Sequence, residues 1–178
     1  MRIFNIIFVR KKLTFSREEC IIIHTGGVYP FVTRKRKEKR QMKNRRQARE
    51  NAFGIIFESK FHKDKSIEEI LATAKETRAI EDDDYLSAVV FGVSAHSEEI
   101  GALIEKYSHG WKKKRLSPVL LSIMELAVYE MLYCEDIPSA VSINEALELT
   151  KLYDEESARA FANGVLNAVA KEIEGENA

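Results

Sequence analysis

From residue 44 onward the apolar residues recur at helical spacing. Ala48, Ala52, Ile55 and Ile56 form one stripe, widened by Phe53 and Phe57, and predict a first helix with Asn44 as its cap. "SIEEILATAKETRA" opens with Ser66 and Glu69 at capping-box spacing and continues with Ile67, Ile70, Leu71 and Ala74 at i, i+3, i+4 and i+7. The acidic run Asp82 to Asp84 stands where a helix start favours negative charge and leads into Tyr85, Ala88, Val89, Gly92 and Val93. Ser97, Ile100, Leu103, Ile104 and Tyr107 either continue that helix or begin another. After a break at "GWKKKRLSP", Ser117 as N-cap and Pro118 at the first helical position start the most apolar helix. Its expected core positions are Leu121, Met124, Ala127, Val128, Met131 and Leu132. A turn around "CEDIP" follows, and Ser142 with Glu145 again shows capping-box spacing. The last helix carries Ala158, Phe161, Ala162, Val165, Leu166 and Val169. No strand pattern is present after residue 42, so the body is predicted to be all-α, with six or seven helices and short connections.

Residues 1–41 differ from the rest. "CIIIHTGGVYPFVT" has the β-branched residues and turn formers of a hairpin, but one hairpin without a partner sheet is marginal in water. The expected organisation is an appendage at 1–41, either disordered or read from a mis-set start codon, and a helical domain at 42–178 that begins better at Met42.

The net charge of zero hides a strong asymmetry. Arg34 to Arg49 holds ten Lys/Arg and one acid, whereas residues 50–178 hold thirteen basic and twenty-five acidic residues, a net of −12. A basic end on an acidic body directs a polyanion to the basic end and away from everything else. Cys20 and Cys134 have no CxxC spacing, and Cys134 reads as a reduced thiol in or near the core. His24, His62, His96 and His109 are scattered without ligand spacing, so no metal site is expected, and no cofactor motif is present. No apolar run approaches a membrane span. There is no Gly-rich phosphate loop, no HExxH and no GxSxG, which argues against an enzyme.

Three arginines stand out instead. Arg45 and Arg49 are i, i+4 neighbours, Arg46 lies beside them, and Lys43 precedes them. Guanidinium groups take phosphate in a two-pronged grip and stack on bases, while Ala48 and Ala52 let the other side pack down. With the helix starting at Asn44, this charge opposes the macrodipole, which suggests that it is kept for a ligand. The reading requires arginines not already held by carboxylates of the same chain. In "FANG", Asn163 and Gly164 interrupt a helical period. A close helix crossing at Gly164 is the leading explanation, with Asn163 bonding a neighbouring backbone, and an approaching ligand is the second. Lys112 to Arg115 reads as a solvated loop, and Trp111 as an anchor at the rim of the core.

"NRRQARENAFGIIFE", "RLSPVLLSIMELAVYEML" and "DIPSAVSINEALELTKLYDEESARAFANGVLNAV" resemble the NusB transcription antitermination family in order and distance, over roughly Lys43 to Ala170. "SINEALELTK" and "FANGVL" are the most specific pieces. The resemblance implies a fold of two three-helix subdomains without catalysis. It also implies binding of the boxA segment of nascent ribosomal RNA, and a heterodimer with the ribosomal protein NusE that joins RNA polymerase with NusA and NusG in the cytoplasm. It places RNA contacts at Arg45, Arg46 and Arg49, to which the residue reading adds Lys43, and brings Phe161 near the RNA surface. It leaves a homodimer open. The chain departs from the family pattern at Gln47, Leu120, Ser157 and Ala160, which puts a looser RNA grip and a smaller share for the last helix in prospect. Two other readings stand beside it: a protein-only helical scaffold, and a stand-alone relative of the accessory domain of RNA cytosine methyltransferases, for whose catalytic domain a chain ending at Ala178 leaves no room.

Overall fold

The computed structural model describes residues 21–24, 27–30, 34–81, 83–108 and 116–176, with side chains described between residues 45 and 175. The chain divides into two compact units, Met1–Lys43 and Asn44–Ala178. The first unit contains a two-stranded antiparallel hairpin of β1 (Ile21–His24) and β2 (Gly27–Pro30), with Ile22 opposite Tyr29 and Ile23 opposite Val28.

Helix α1 spans Arg34–Ser59. Its start differs from the expected one: Asn44 lies inside the helix and caps nothing. The residues before it are lysine, arginine, glutamate, glutamine and methionine, all good helix formers, with no glycine or proline to stop the helix. Arg45, Arg46 and Arg49 therefore lie well beyond the first turn, where a terminal dipole effect has faded. The macrodipole argument for their function is removed.

The remaining helices are α2 (Ile67–Arg78), α3 (Asp84–Ala95), α4 (Ser97–Tyr107), α5 (Pro118–Tyr133), α6 (Ser139–Tyr153) and α7 (Glu156–Glu176). Among the described residues of the second unit there is no strand, and the body is all-α. Several starts follow the expected chemistry. Ser66 and Glu69 form both bonds of the capping box, Asp83 accepts from the Leu86 amide at 2.9 Å, and α4 is a separate helix beginning after His96. Ser117 accepts from the Leu120 amide at 3.0 Å and donates to Asp154 at 2.6 Å, so an aspartate from the end of α6 engages a cap that Leu120 cannot reciprocate.

The start of α6 differs from the expectation. Pro138, with φ −59° and ψ 141°, sets the N-cap position, and the helix begins at Ser139. Ser142 is buried inside the helix, its hydroxyl without a partner among the described residues, and Glu145 is left to reach elsewhere.

One continuous core draws buried apolar residues from all seven helices, with α5 packed against α3, α4, α6 and α7. Because neighbours surround α5, Ile123 and Leu126 are buried along with the expected Met124, Ala127 and Val128, while Leu121, Met131 and Leu132 are only partly buried. Two acids of this central helix are also buried, and each meets a cation: Arg49 Nε on α1 donates to Glu130 Oε1 at 2.8 Å, and Lys60 Nζ, in the turn after α1, to Glu125 Oε2 at 2.5 Å. No helix among the described residues is long and apolar enough to cross a membrane.

Two of the helical glycines, Gly92 and Gly164, have opposite surroundings. A Cβ at Gly92 would lie 2.0 Å from Cζ of Tyr129, so α3 and the Tyr129 ring touch there because a side chain is missing. A Cβ at Gly164 would meet nothing within 4 Å. The close crossing expected at Gly164 is therefore found at Gly92. Asn163, expected to bond a neighbouring backbone, instead accepts from Asn167 one turn along its own helix, at 3.0 Å through Oδ1 and 2.7 Å through its carbonyl.

Gly92→Ala forces the Tyr129 ring aside and is expected to cost about 1–2 kcal/mol, the overpacking penalty less the gain in helix propensity. Gly164→Ala is expected to stabilise by up to about 1 kcal/mol. Thermal unfolding should show the two melting temperatures moving in opposite directions, by about 2–4 °C for each kcal/mol. Arg49→Met strands a buried carboxylate and is expected to cost about 3–5 kcal/mol, much of it recovered in the double variant Arg49→Met/Glu130→Leu, as a denaturant titration of the three proteins would show.

Candidate nucleic-acid interface

The three arginines follow from the phase of α1. Ala48, Ala52, Ile55 and Ile56 are buried and fix the rotation of the helix, which turns Arg49 inward and leaves Arg45 and Arg46 at the rim.

Arg49 is 4% exposed. Besides Glu130, its Nη1 lies 3.3 Å from Glu145 Oε2. Burial works against its charge, but Glu130, Tyr85 and Glu145 outweigh that and hold its pKa above the ordinary value. The Tyr85 hydroxyl donates to the same Glu130 oxygen. Burial, and then the charge of Glu130, push the phenol pKa far up, so this hydroxyl stays a donor. Arg49 is expected from the sequence to contact RNA; the structure places it in the core, with Glu130 against Nε and Glu145 against Nη1.

Arg45 lies over the Tyr85 ring at 4.7 Å, and its Nη2 donates to Asp136 at 2.6 Å. Both side chains of that pair face solvent, at 39% and 68% exposure. Arg46 grips Glu145 with two bonds, Nε to Oε2 at 3.0 Å and Nη2 to Oε1 at 2.8 Å, and its side chain is 60% exposed. The hydrogen bond to Glu145 raises the Arg46 pKa, and the same bond pulls that of Glu145 below the usual carboxylate value. The requirement that the arginines be free of the chain's own carboxylates is therefore not met as stated. The Arg45–Asp136 pair is exposed on both sides and of a kind that contributes only about 0–1 kcal/mol. In the Arg46–Glu145 pair the carboxylate is half-buried, but the Arg46 side chain is 60% exposed and its donors face an anion arriving from solvent.

Glu145 joins Arg46 to Arg49, and Tyr85 lies beneath both Arg45 and Arg49, at 5.8 Å from the latter. The three arginines thus belong to one network. Lys43 lies on α1, outside the residues whose side chains are described. Phe161 is on α7, half-buried and packed against the core, with Ser157 and Ala160 exposed nearby in sequence. Gln47 is exposed, and its amide comes no nearer than 3.5 Å to Glu50 and Asn51. Lys112 to Arg115 and Trp111 lie outside the described residues. Cys134 is half-buried, and burial pushes its thiol pKa up.

The residues that sequence reasoning missed are the acids. Glu145 was read as a capping glutamate and Asp136 as part of a turn. The lone Glu130 within "AVYEML" is the one with a legible signal, because an acid in so apolar a helix needs a buried partner.

Comparison with known proteins sets this geometry in a family. The NusB family model matches residues 46–171. The transcription antitermination protein NusB of Acetivibrio thermocellus is 44% identical over 128 residues, which cover 71% of this chain and 88% of that protein. NusB of Listeria monocytogenes is 40% identical over 128 residues, covering 72% of this chain and 97% of its own length. Among solved structures, NusB of T. maritima superposes with a TM-score of 0.65 at 33% identity, over 72% of this chain and 91% of that one. A structure of the antitermination factors NusB and NusE in complex with dsRNA superposes with a TM-score of 0.66 at 28% identity, over 74% of this chain and 98% of that one. From its sequence match and its fold together, this chain belongs to the NusB family of transcription antitermination proteins.

Proposed function

We propose that this chain binds the boxA segment of nascent RNA, ribosomal RNA leaders above all, as a heterodimer with the ribosomal protein NusE. In this reading the pair joins RNA polymerase with NusA and NusG in the cytoplasm and keeps transcription from terminating early, without catalysis by this chain. Arg45 and Arg46 on α1 carry the phosphate contacts, Lys43 precedes them on the same helix, and Phe161 on α7 lies near the strand.

The observation that carries the reading is the Arg46 guanidinium. It is 60% exposed, stands on a helix whose other side is buried, and is already arranged for a two-pronged bond to an anion. The rest of the body supports it by repulsion, since residues 50–178 carry a net charge of −12. The relative solved with NusE and dsRNA adds support from the family. Arg49 takes a different part: it anchors α1 and Glu145 from inside. A scaffold reading, in which the arginines serve folding alone, describes Arg49 but not the exposed Arg46.

The test is a gel shift with a short boxA-like RNA, with and without NusE. Arg46→Ala is expected to weaken binding severalfold while the melting temperature stays within about 2 °C of the parent. The log–log salt slope should flatten by about 0.7, one phosphate contact on a single strand. An unchanged slope, or a comparable loss from Arg49→Lys with Arg46 intact, would count against the assignment.

A further inference from the structure

We propose that Glu145 is a built-in competitor for RNA phosphate: its carboxylate occupies the two-pronged seat on Arg46, and RNA must displace it to bind there. The inference rests on the RNA reading above and goes further, by naming the residue that sets how readily that site is filled.

The geometry carries it. Arg46 presents Nε and Nη2 side by side, and Glu145 fills them with both oxygens at 3.0 and 2.8 Å. A phosphate uses the same pair of donors in the same arrangement, so carboxylate and phosphate cannot both hold them. The exchange is inexpensive because of what lies behind it. When Arg46 swings outward, Glu145 keeps Arg49 Nη1 at 3.3 Å and is not left as a half-buried charge without a partner. Arg49 remains fixed by Glu130 at 2.8 Å. Arg46 is the member with room to swing outward, at 60% exposure against 20% for Glu145 and 4% for Arg49.

Asp136 is not an equivalent competitor for Arg45. It accepts through one oxygen at 2.6 Å and is 68% exposed, so it leaves most of the Arg45 donors unclaimed. Glu148, one turn beyond Glu145 on α6, also acts on Arg46, but through its charge alone. This separates two effects. Glu148 contributes to the general negative field that any phosphate meets, and Glu145 occupies the seat.

The experiment measures the affinity of the full chain with NusE for the boxA-like RNA by fluorescence anisotropy, in wild type, Glu145→Gln, Glu148→Gln, Arg46→Ala and the double variant Glu145→Gln/Arg46→Ala. Glutamine keeps an amide oxygen for Arg46 and Arg49 but surrenders the charge. Thermal unfolding of each variant checks that the fold is retained. Glu145→Gln is expected to tighten RNA binding about three- to fivefold, as the charge that holds the seat on Arg46 is removed while its amide oxygen remains. That gain should vanish in the Arg46→Ala background, whereas any gain from Glu148→Gln should be smaller. An equal gain with and without Arg46 would reduce Glu145 to general charge and overturn the inference. A loss of affinity in Glu145→Gln would make the carboxylate a support for the bound state and would overturn it as well. If Arg46→Ala weakens RNA binding but Glu145→Gln leaves it unchanged, the inference fails and the RNA reading stands. If the wild-type pair binds no RNA, both fail together.

Discussion

A carboxylate with no contact with water has to find its counter-charge inside the protein, and Glu130 finds it in Arg49, 81 residues away in sequence. Much of the site depends on this pair. It reinforces the rotation of α1 that the buried stripe of Ala48, Ala52, Ile55 and Ile56 sets, because turning the helix would strand one charge or the other. With that rotation set, Arg45 and Arg46 are left at the rim. Tyr85 reinforces the arrangement by donating to Glu130 and presenting its ring to Arg45 and Arg49. A second pair, the part-buried Lys60 just past the end of α1 with the buried Glu125, ties that end of the chain segment to α5. Pairs of this kind are weak evidence for stability, since a hydrophobic replacement often does as well. Their value here is orientation: each fits one placement of α1.

The arginine set combines two environments. Arg49 and Arg46 share the carboxylate of Glu145, yet one is sealed in the core and the other open to solvent. A single acid therefore sits on the boundary between structure and binding. The chemistry of guanidinium suits both sides of it, since the group keeps its charge when buried and offers a flat pair of donors when exposed.

Much of the fold was legible in the sequence because it rests on local rules. The helical period from Ala48 onward, the capping box at Ser66 and Glu69, and Ser117 with Pro118 depend on residues within a few positions of each other, and the structure has them all. The readings that went astray share a cause. Ser142 and Glu145 have the spacing of a cap, but Pro138 starts the helix earlier, and Glu145 answers to arginines on another helix. Gly164 was the glycine whose sequence context called for an explanation, whereas the contact that forbids a side chain is at Gly92, against Tyr129 from α5. In both cases the deciding partner is distant in sequence, and spacing carries no information about it. The site followed the same rule. The arginines announced themselves by charge and spacing, but their sorting into one buried anchor and two exposed groups depends on acids from α5, α6 and the turn between them.

The pairing of α1 with α5 also bears on how the chain is made. Helix α1 is synthesised before α5: Glu130 follows Arg49 by 81 residues and Glu125 follows Lys60 by 65. At roughly 5–20 residues per second, α1 spends about 4–16 s in the growing chain before Glu130 has been added. For that interval Arg49 has no acidic counterpart on α5, and the apolar stripe of α1 has no central helix to cover it. The contacts that hold α1 to α5 therefore wait until α5 has been made, and until then α1 depends on what its own neighbours in sequence can cover.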